Sequence, residues 1–223
     1  MKFYVFTAQM LQWLALPLLH SLFKLNGTFV IHGKENMEAL KDQNVIFASN
    51  HQNELDPVAQ RVMLPIVSKH TPLFWVTRKQ DEYHWKGWRK LVYSDWFFKA
   101  GGGWPAYRGH KDYGKSLRHH LNILKDGNSV GIFPQGTMGV KDKLTVEELR
   151  NVPAHGGVAY LAAKTGTPIV PTTIHGTRGM NAFKVFFKKT RVDVYFHPPI
   201  YVSKDEENYK EVAAKVMDVV YSV

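Results

Sequence analysis

"NVIFASNHQNELDPVAQRVMLPIV", residues 44–67, decides how this chain is built. The apolar run 44–49 reads as a buried strand, and a polar loop follows it. A helix then opens at Asp56, with Pro57 in its first turn, and runs to about Val67. Proline is tolerated there because the N–H it lacks would have had no helical partner. Strand, loop and helix follow one another within a short stretch. An ionisable pair, His51 and Asp56, sits where the strand ends.

The same alternation extends along the chain. Residues 28–33, 72–77, the "SVGI" of "SVGIFPQGT", "PIVPTTIHG" and "TRVDVYFHPPI" read as strands. "ENMEAL" is a helical turn, and "KGWRKLVYSDWFFK", residues 114–127 and residues 154–166 read as helices. "AGGGWPAYRG" reads as a loop. Pro171 is expected at a sheet edge or strand end, since it cannot donate to a ladder. "DEENYKEVAAKVMDVVYS" reads as a helix with acidic residues in its first turn, as the helix dipole prefers. Strands alternating with helices predict an α/β fold: one domain with a central, largely parallel mixed sheet flanked by helices. No linker or internal repeat interrupts it. The expected organisation is an apolar helix over 1–25 and one domain over 26–223.

Ligands of such sheets bind in the loops at the carboxyl ends of the strands. His51, Gly136 and Gly176 each follow an apolar strand. If those strands are parallel, their loops meet at one edge.

The chain has 0 cysteines, which excludes disulfides, thiolate zinc sites and a cysteine nucleophile. Twenty-nine Lys and Arg against 19 Asp and Glu leave a net charge of +10, a surface that attracts phosphates of some kind. No common nucleic-acid-binding module is present, and the basic residues are scattered. Residues 3–23, "FYVFTAQMLQWLALPLLHSLF", carry no Asp, Glu, Lys or Arg, and lysines flank them. The length suits a membrane-crossing helix of roughly 20 residues. Gln9, Gln12, Pro17 and His20 suit instead a kinked helix lying in one leaflet or at the interface, with Trp13 as an anchor. The aromatic and basic stretch 74–98 suits an anionic bilayer face. The expected location is membrane-associated, on the cytoplasmic face.

An imidazole takes up a proton near neutral pH, its ordinary pKa being ~6.5. A carboxylate beside it holds one tautomer and stabilises the cation. His51 and Asp56 thus have the makings of a general base and its orienting acid. The structural alternative is that Asp56 caps the following helix and His51 bonds to backbone. Gly127-Asn128-Ser129-Val130-Gly131 matches the nucleophile-elbow pattern, but it lies between helix and strand, the reverse of the order an elbow needs. No His-Glu-x-x-His occurs, and His119 and His120 point to different helix faces, so a zinc hydrolase is a poor fit. A base without a protein nucleophile can activate the substrate's own hydroxyl.

Several stretches together resemble one family. Asn50-His51-x4-Asp56 is similar to the first motif of the glycerolipid acyltransferases, the 1-acylglycerol-3-phosphate acyltransferase family. "GWPAYRG", with Arg108, resembles the second. Phe133-Pro134-Gln135-Gly136-Thr137 resembles the third, usually Phe-Pro-Glu-Gly-Thr. Ile169-Val170-Pro171-Thr172 resembles the fourth, and the order holds over roughly residues 28–200. The resemblance implies that His51 deprotonates the acceptor hydroxyl and that Asp56 orients His51. The hydroxyl attacks an acyl thioester, acyl-CoA or acyl carrier protein, with no acyl-enzyme, and no metal or bound cofactor is implied. It implies substrate contacts at Arg108, which would hold a lysophospholipid's phosphate, and at Gln135, Gly136 and Thr137, with Gly136 bringing backbone N–H groups near that phosphate. Membrane lipid is implied as partner, and nucleic acid is not.

The chain departs from the family at two places. Position 135 is glutamine, which loses a charge and gains an amide donor. It either orients Arg108 or the acceptor more weakly than glutamate, or donates to the phosphate directly. Met138 and Gly139 stand where an arginine and a small polar residue are common, with Lys141 and Lys143 as other sources of charge.

Overall fold

A computed structural model describes residues 2–65, 67–79, 86–87, 89–92, 94–107, 112–139, 143–180 and 190–223. The helices are α1 (Phe3–Asn26), α2 (Lys34–Glu38), α3 (Asp56–Met63), α4 (Arg89–Val92), α5 (Asp95–Gly101), α6 (Tyr113–Ser116), α7 (Arg118–Lys125), α8 (Val146–Arg150), α9 (Gly157–Thr165) and α10 (Tyr209–Val220). The strands are β1 (Gly27–His32), β2 (Ile46–Ser49), β3 (Leu73–Thr77), β4 (Gly103–Pro105), β5 (Ser129–Ile132), β6 (Ile169–His175) and β7 (Thr190–Phe196).

They form a seven-stranded sheet in the order β1-β7-β6-β2-β5-β3-β4. Every neighbouring pair is parallel except β6 and β7. The sheet is thus mixed and largely parallel, as the alternation predicts. β2 and β5 are buried along their whole length, which is why they read as unbroken apolar runs. One apolar cluster gathers Leu40, Phe47, Ala59, Val62, Leu73 and Val194 on the α3 side. A second gathers Ile46, Phe74, Val130, Leu161 and Val216 against α7, α9 and α10.

Several boundaries differ from expectation, each for a local reason. α3 stops at Met63, since Pro65 holds Leu64 extended at ψ 149°. The helix expected within residues 86–99 is divided by Ser94, whose hydroxyl caps α5 by accepting from Phe97 N. The glycine-rich stretch after it contains a short edge strand, β4, paired with β3. Residues 114–127 break at Leu117 into α6 and α7. α10 begins at Tyr209, so Asp205, Glu206 and Glu207 precede it and Glu211 is the acidic residue of its first turn.

Pro171 is neither at an edge nor at a strand end. It is the third residue of β6, inside the sheet, opposite Ala48 of β2. Its carbonyl accepts from His197 N at 3.0 Å, so its nitrogen faces the same side, just beyond the last rung of the β6–β7 ladder at Thr172 and Phe196. His197 N–H makes its half of the next rung, the return bond from Pro171 has no donor, and the ladder ends there.

α1 packs on the body through Ala8, Gln12 and Leu16, which are buried. Phe3, Phe6, Met10, Trp13, Leu14 and Leu18 form an exposed stripe at helical spacing on its other side. Among the described residues, no helix is long and apolar enough to cross a membrane.

Candidate active site

The loops after β2, β5 and β6 meet at one edge, because those strands are parallel and adjacent. Asn50 ties the first of them to β6. Its Nδ2 donates to Ile174 O at 2.9 Å, and its Oδ1 accepts from Ile174 N at 2.8 Å. Asn53 ties the next turn to the loop after β6, donating from Nδ2 to Met180 O at 2.9 Å. Between these two anchors stands His51.

Asp56 is the first residue of α3 and is fully buried. Its carboxylate does not cap that helix, which is the structural role the sequence left open. It turns back to the loop instead. Oδ2 accepts from Gln52 N at 2.6 Å, Asn53 N at 2.8 Å and His51 Nδ1 at 2.9 Å. With Nδ1 as the donor to a carboxylate, the neutral ring carries its proton there and the lone pair sits on Nε2. The His51 side chain is 20% exposed, so the ring remains within reach of a ligand. Phe133 stacks on it at 4.0 Å and 18°. The His51 carbonyl accepts from Gly139 N at 3.0 Å, which closes the loop after β5 around the histidine.

That loop turns at Gly136, whose φ of +64° lies in the left-handed region that suits glycine. The Gly136 N–H donates to Phe133 O at 3.0 Å, and the Gly139 N–H is committed to His51. The N–H groups of Gly136 and Gly139 themselves are therefore used inside the loop. The Gly136 carbonyl accepts from Arg78 Nη2 at 2.7 Å. Thr137 is half-buried beside it. Gln135 is buried, with Nε2 donating to Leu149 O and Oε1 accepting from Tyr221 Oη at 3.1 Å. Met138 is buried, and Lys143 is exposed. Arg178, from the loop after β6, approaches Gly139 and donates to Leu144 O at 2.6 Å.

Arg108 and Lys141 lie outside the described residues. Tyr107, just before Arg108, bonds to His119 Nε2 at 3.1 Å and lies 4.9 Å under the Arg118 guanidinium. His120 is fully buried on the other side of α7, as the spacing predicts. Ser129 of the elbow-like pattern is the first residue of β5, at the opposite end of the sheet. Its buried hydroxyl accepts from Val45 N at 3.1 Å and bonds to His70 Nδ1 at 3.2 Å. Among the described residues, no group of three or more His, Asp or Glu could hold a metal. A cavity of about 700 Å³ lies between α1, α2, β1 and the carboxyl end of α3, and none of its lining residues belongs to the His51 edge.

The sequence did not single out His155 or Tyr221. His155 N donates to Pro134 O at 2.8 Å, and its exposed ring lies against Gly136. Neither residue carries a local pattern. Both reach the edge from elements distant in sequence, so only the fold brings them there.

The sequence profile of the family described as Acyltransferase matches residues 28–175. A 1-acyl-sn-glycerol-3-phosphate acyltransferase of Bacillus subtilis is 25% identical over 184 residues, covering 81% of this chain and 77% of that protein. A chloroplastic protein of the same name from Arabidopsis thaliana is 25% identical over 220 residues. That match covers 97% of this chain but 54% of the relative's length. In fold, the chain is similar to the crystal structure of the 1-acyl-sn-glycerophosphate acyltransferase of Thermotoga maritima. The TM-score is 0.58 at 24% identity, over 87% of this chain and 69% of the other.

Proposed function

The chain belongs to the Acyltransferase family, and from that premise we propose that it moves a fatty acyl group from acyl-CoA or acyl carrier protein to the free hydroxyl of a lysophospholipid. The favoured acceptor is 1-acylglycerol-3-phosphate, which gives phosphatidic acid. The observation that carries this reading is the 2.9 Å bond between His51 Nδ1 and Asp56 Oδ2, which leaves Nε2 as the base.

The step balances without a cofactor. The acceptor oxygen attacks the thioester carbonyl while its proton passes to His51 Nε2. Asp56 stabilises the imidazolium that results. The tetrahedral intermediate collapses, the C–S bond breaks, and the imidazolium returns the proton to the leaving sulfur. An ester and a free thiol remain. No acyl-enzyme is required, and no serine hydroxyl among the described residues bonds to His51. Arg108 is assigned to the acceptor phosphate, and Gly136 and Thr137 to the acceptor's side of the loop. Gln135 acts from behind that loop.

The exposed stripe of α1, with Leu91 and Trp96, is assigned to the bilayer, lying in the interface of the cytoplasmic face. Met138 and Gly139, which offer no cation, favour a second reading in which the acceptor is another lysophospholipid or a glycolipid.

The test is purified protein in liposomes with acyl-CoA or acyl carrier protein and a panel of lysolipids, following thiol release and lipid product. Product from the parent and none from His51→Ala supports the reading. Equal product from both removes His51 from the chemistry.

A further inference from the structure

Gln135 is 2% exposed, and both ends of its amide are engaged by the protein. Nε2 donates to the carbonyl of Leu149 in α8, and Oε1 accepts from the Tyr221 hydroxyl. The two partners are of opposite kind. A carbonyl only accepts, so the group facing it must donate, and an ionised carboxylate has no donor. This pair of partners suits an amide and disfavours the glutamate usual in the family.

Tyr221 is itself held in place. Arg150 Nη2 donates to its carbonyl at 2.8 Å, and the Arg150 guanidinium lies 5.9 Å from its ring centre. Thr173 Oγ1 donates to the neighbouring Val220 carbonyl. Burial, helped by the Asp56 carboxylate and opposed by Gln135 and Arg150, raises the phenol above its ordinary range. The hydroxyl therefore remains a donor across neutral pH.

We propose that Tyr221 is a positioning residue of the acyl-transfer site: through the Gln135 amide it holds the turn from Phe133 to Gly136 against His51, and the Leu149–Tyr221 pair selects glutamine over glutamate at position 135. The kinetic part of this rests on the acyl-transfer reading above. The line of contact is short. Gln135 lies between Phe133, which stacks on His51, and Gly136, whose carbonyl takes Arg78. Without the Tyr221 tie the Gln135 oxygen loses this donor, and the turn keeps the Gln135 bond to Leu149 O, its own Gly136–Phe133 bond, His155 N on Pro134 O and Arg78 on Gly136 O.

The experiment uses the full chain in detergent, with Tyr221→Phe and Gln135→Glu. It reads kcat and KM, the melting temperature, and the His51 ring resonances, assigned by their absence in His51→Ala. Misplacing a catalytic group by about 1 Å costs on the order of 100-fold, and loosening one tie is expected to lower kcat by about tenfold with KM little changed. Tyr221→Phe should also shift the His51 resonances. In Gln135→Glu the new carboxyl faces the Leu149 carbonyl and the Tyr221 hydroxyl, with Arg150 and Asp56 acting on Tyr221 and with His155 and Arg78 against Gly136. The carbonyl and burial raise its pKa above the ordinary ~4.3, so the variant should melt lower than the parent by a margin that widens as pH rises.

Tyr221→Phe with parental kcat and unmoved His51 resonances reduces Tyr221 to packing and overturns the positioning role. Gln135→Glu that melts with the parent at every pH, or outperforms it, overturns the selection for glutamine. If the parent transfers acyl groups to no lysolipid, the substrate reading fails. The His51 resonances and the pH-dependent melting then still decide this proposal.

Discussion

The ring of Phe133 lies 4.0 Å from that of His51 and within 18° of parallel. The contact follows from strand register. Ala48 pairs with Ile132, so the residues just after β2 and β5 emerge side by side. The stack fixes the plane of the imidazole, while Asp56 fixes its rotation in that plane. Phe133→Leu keeps an apolar side chain but loses the flat face. It should lower kcat by about tenfold, as a partly misoriented base does. Phe133→Tyr should keep the parental rate. Initial rates of both, beside circular dichroism, check this, and equal kcat in the leucine variant would show that Asp56 alone orients the ring.

His51 and Asp56 should separate when activity and stability are measured together. His51→Ala should lose about 10²–10⁴-fold in rate, the range for general base catalysis, with the fold intact. Asp56→Asn should lose activity and also cost about 1–3 kcal/mol. One carboxylate oxygen there takes two backbone N–H groups of a buried loop as well as the imidazole. Urea denaturation of both variants is the check. An asparagine variant as stable as the alanine variant would mean that the loop does not depend on the carboxylate.

Much of this was legible in the sequence because it depends on neighbours along the chain. Residues 44–49 and 129–132 are apolar on both faces, and only a doubly covered parallel strand requires that. His51 and Asp56 share one loop, so their pairing needs no tertiary information. What was hidden is what the fold adds. β4 is three residues with glycine before it and proline at its end, and it becomes a strand only by pairing with β3. α8 does carry a local sign, the reciprocal bonds of Thr145 and Glu148, but it is a single turn with little apolar periodicity. The Gln135 side chain could not be aimed from sequence, since its partners at positions 149 and 221 come from two other elements.

The outer stripe of α1 makes a prediction that leaves the core untouched. Leu14 is 73% exposed and Leu18 is 64% exposed, so Leu14→Asp and Leu18→Asp should fold like the parent. Burying one leucine in lipid is worth about 1.5–3 kcal/mol, so each variant should bind liposomes roughly 10- to 100-fold more weakly. Flotation of the variants with vesicles measures this. Unchanged flotation would move the bilayer contact elsewhere.

The inner stripe predicts the opposite sense for another change on the same helix. Gln12 Oε1 accepts from Arg61 Nε at 3.1 Å and from Leu73 N at 3.0 Å, while Nε2 donates to the carbonyls of Leu73 and Gly101. Judged by hydropathy, Gln12→Leu should improve an apolar helix. In the fold it strips buried donors of their acceptor, which costs about 1–3 kcal/mol for each group left unsatisfied. The variant should melt several degrees lower and release α1 to protease. A melting temperature equal to or above the parent's would mean that α1 is not keyed to the body through this residue.

Acid sensitivity should trace in part to His70. Burial, then the charges of Arg61 and Lys69, lower its pKa to about 4. In the unfolded chain it would titrate near ~6.5, so between these values the unfolded state binds more protons and stability falls as pH falls. Above pH 6.5 the penalty is absent, and by pH 4 it approaches its ceiling, on the order of 3 kcal/mol for one such group. His70→Leu removes the proton but also the bond to Ser129, so it should be less stable than the parent at pH 7 by about 1 kcal/mol. The difference should shrink or reverse by pH 4.5, because only the parent must then keep His70 neutral. Urea midpoints at the two pH values test this directly. A gap of the same size at both would place the acid transition on other groups, of which the fully buried His120, also lowered to about 4, is the next to replace.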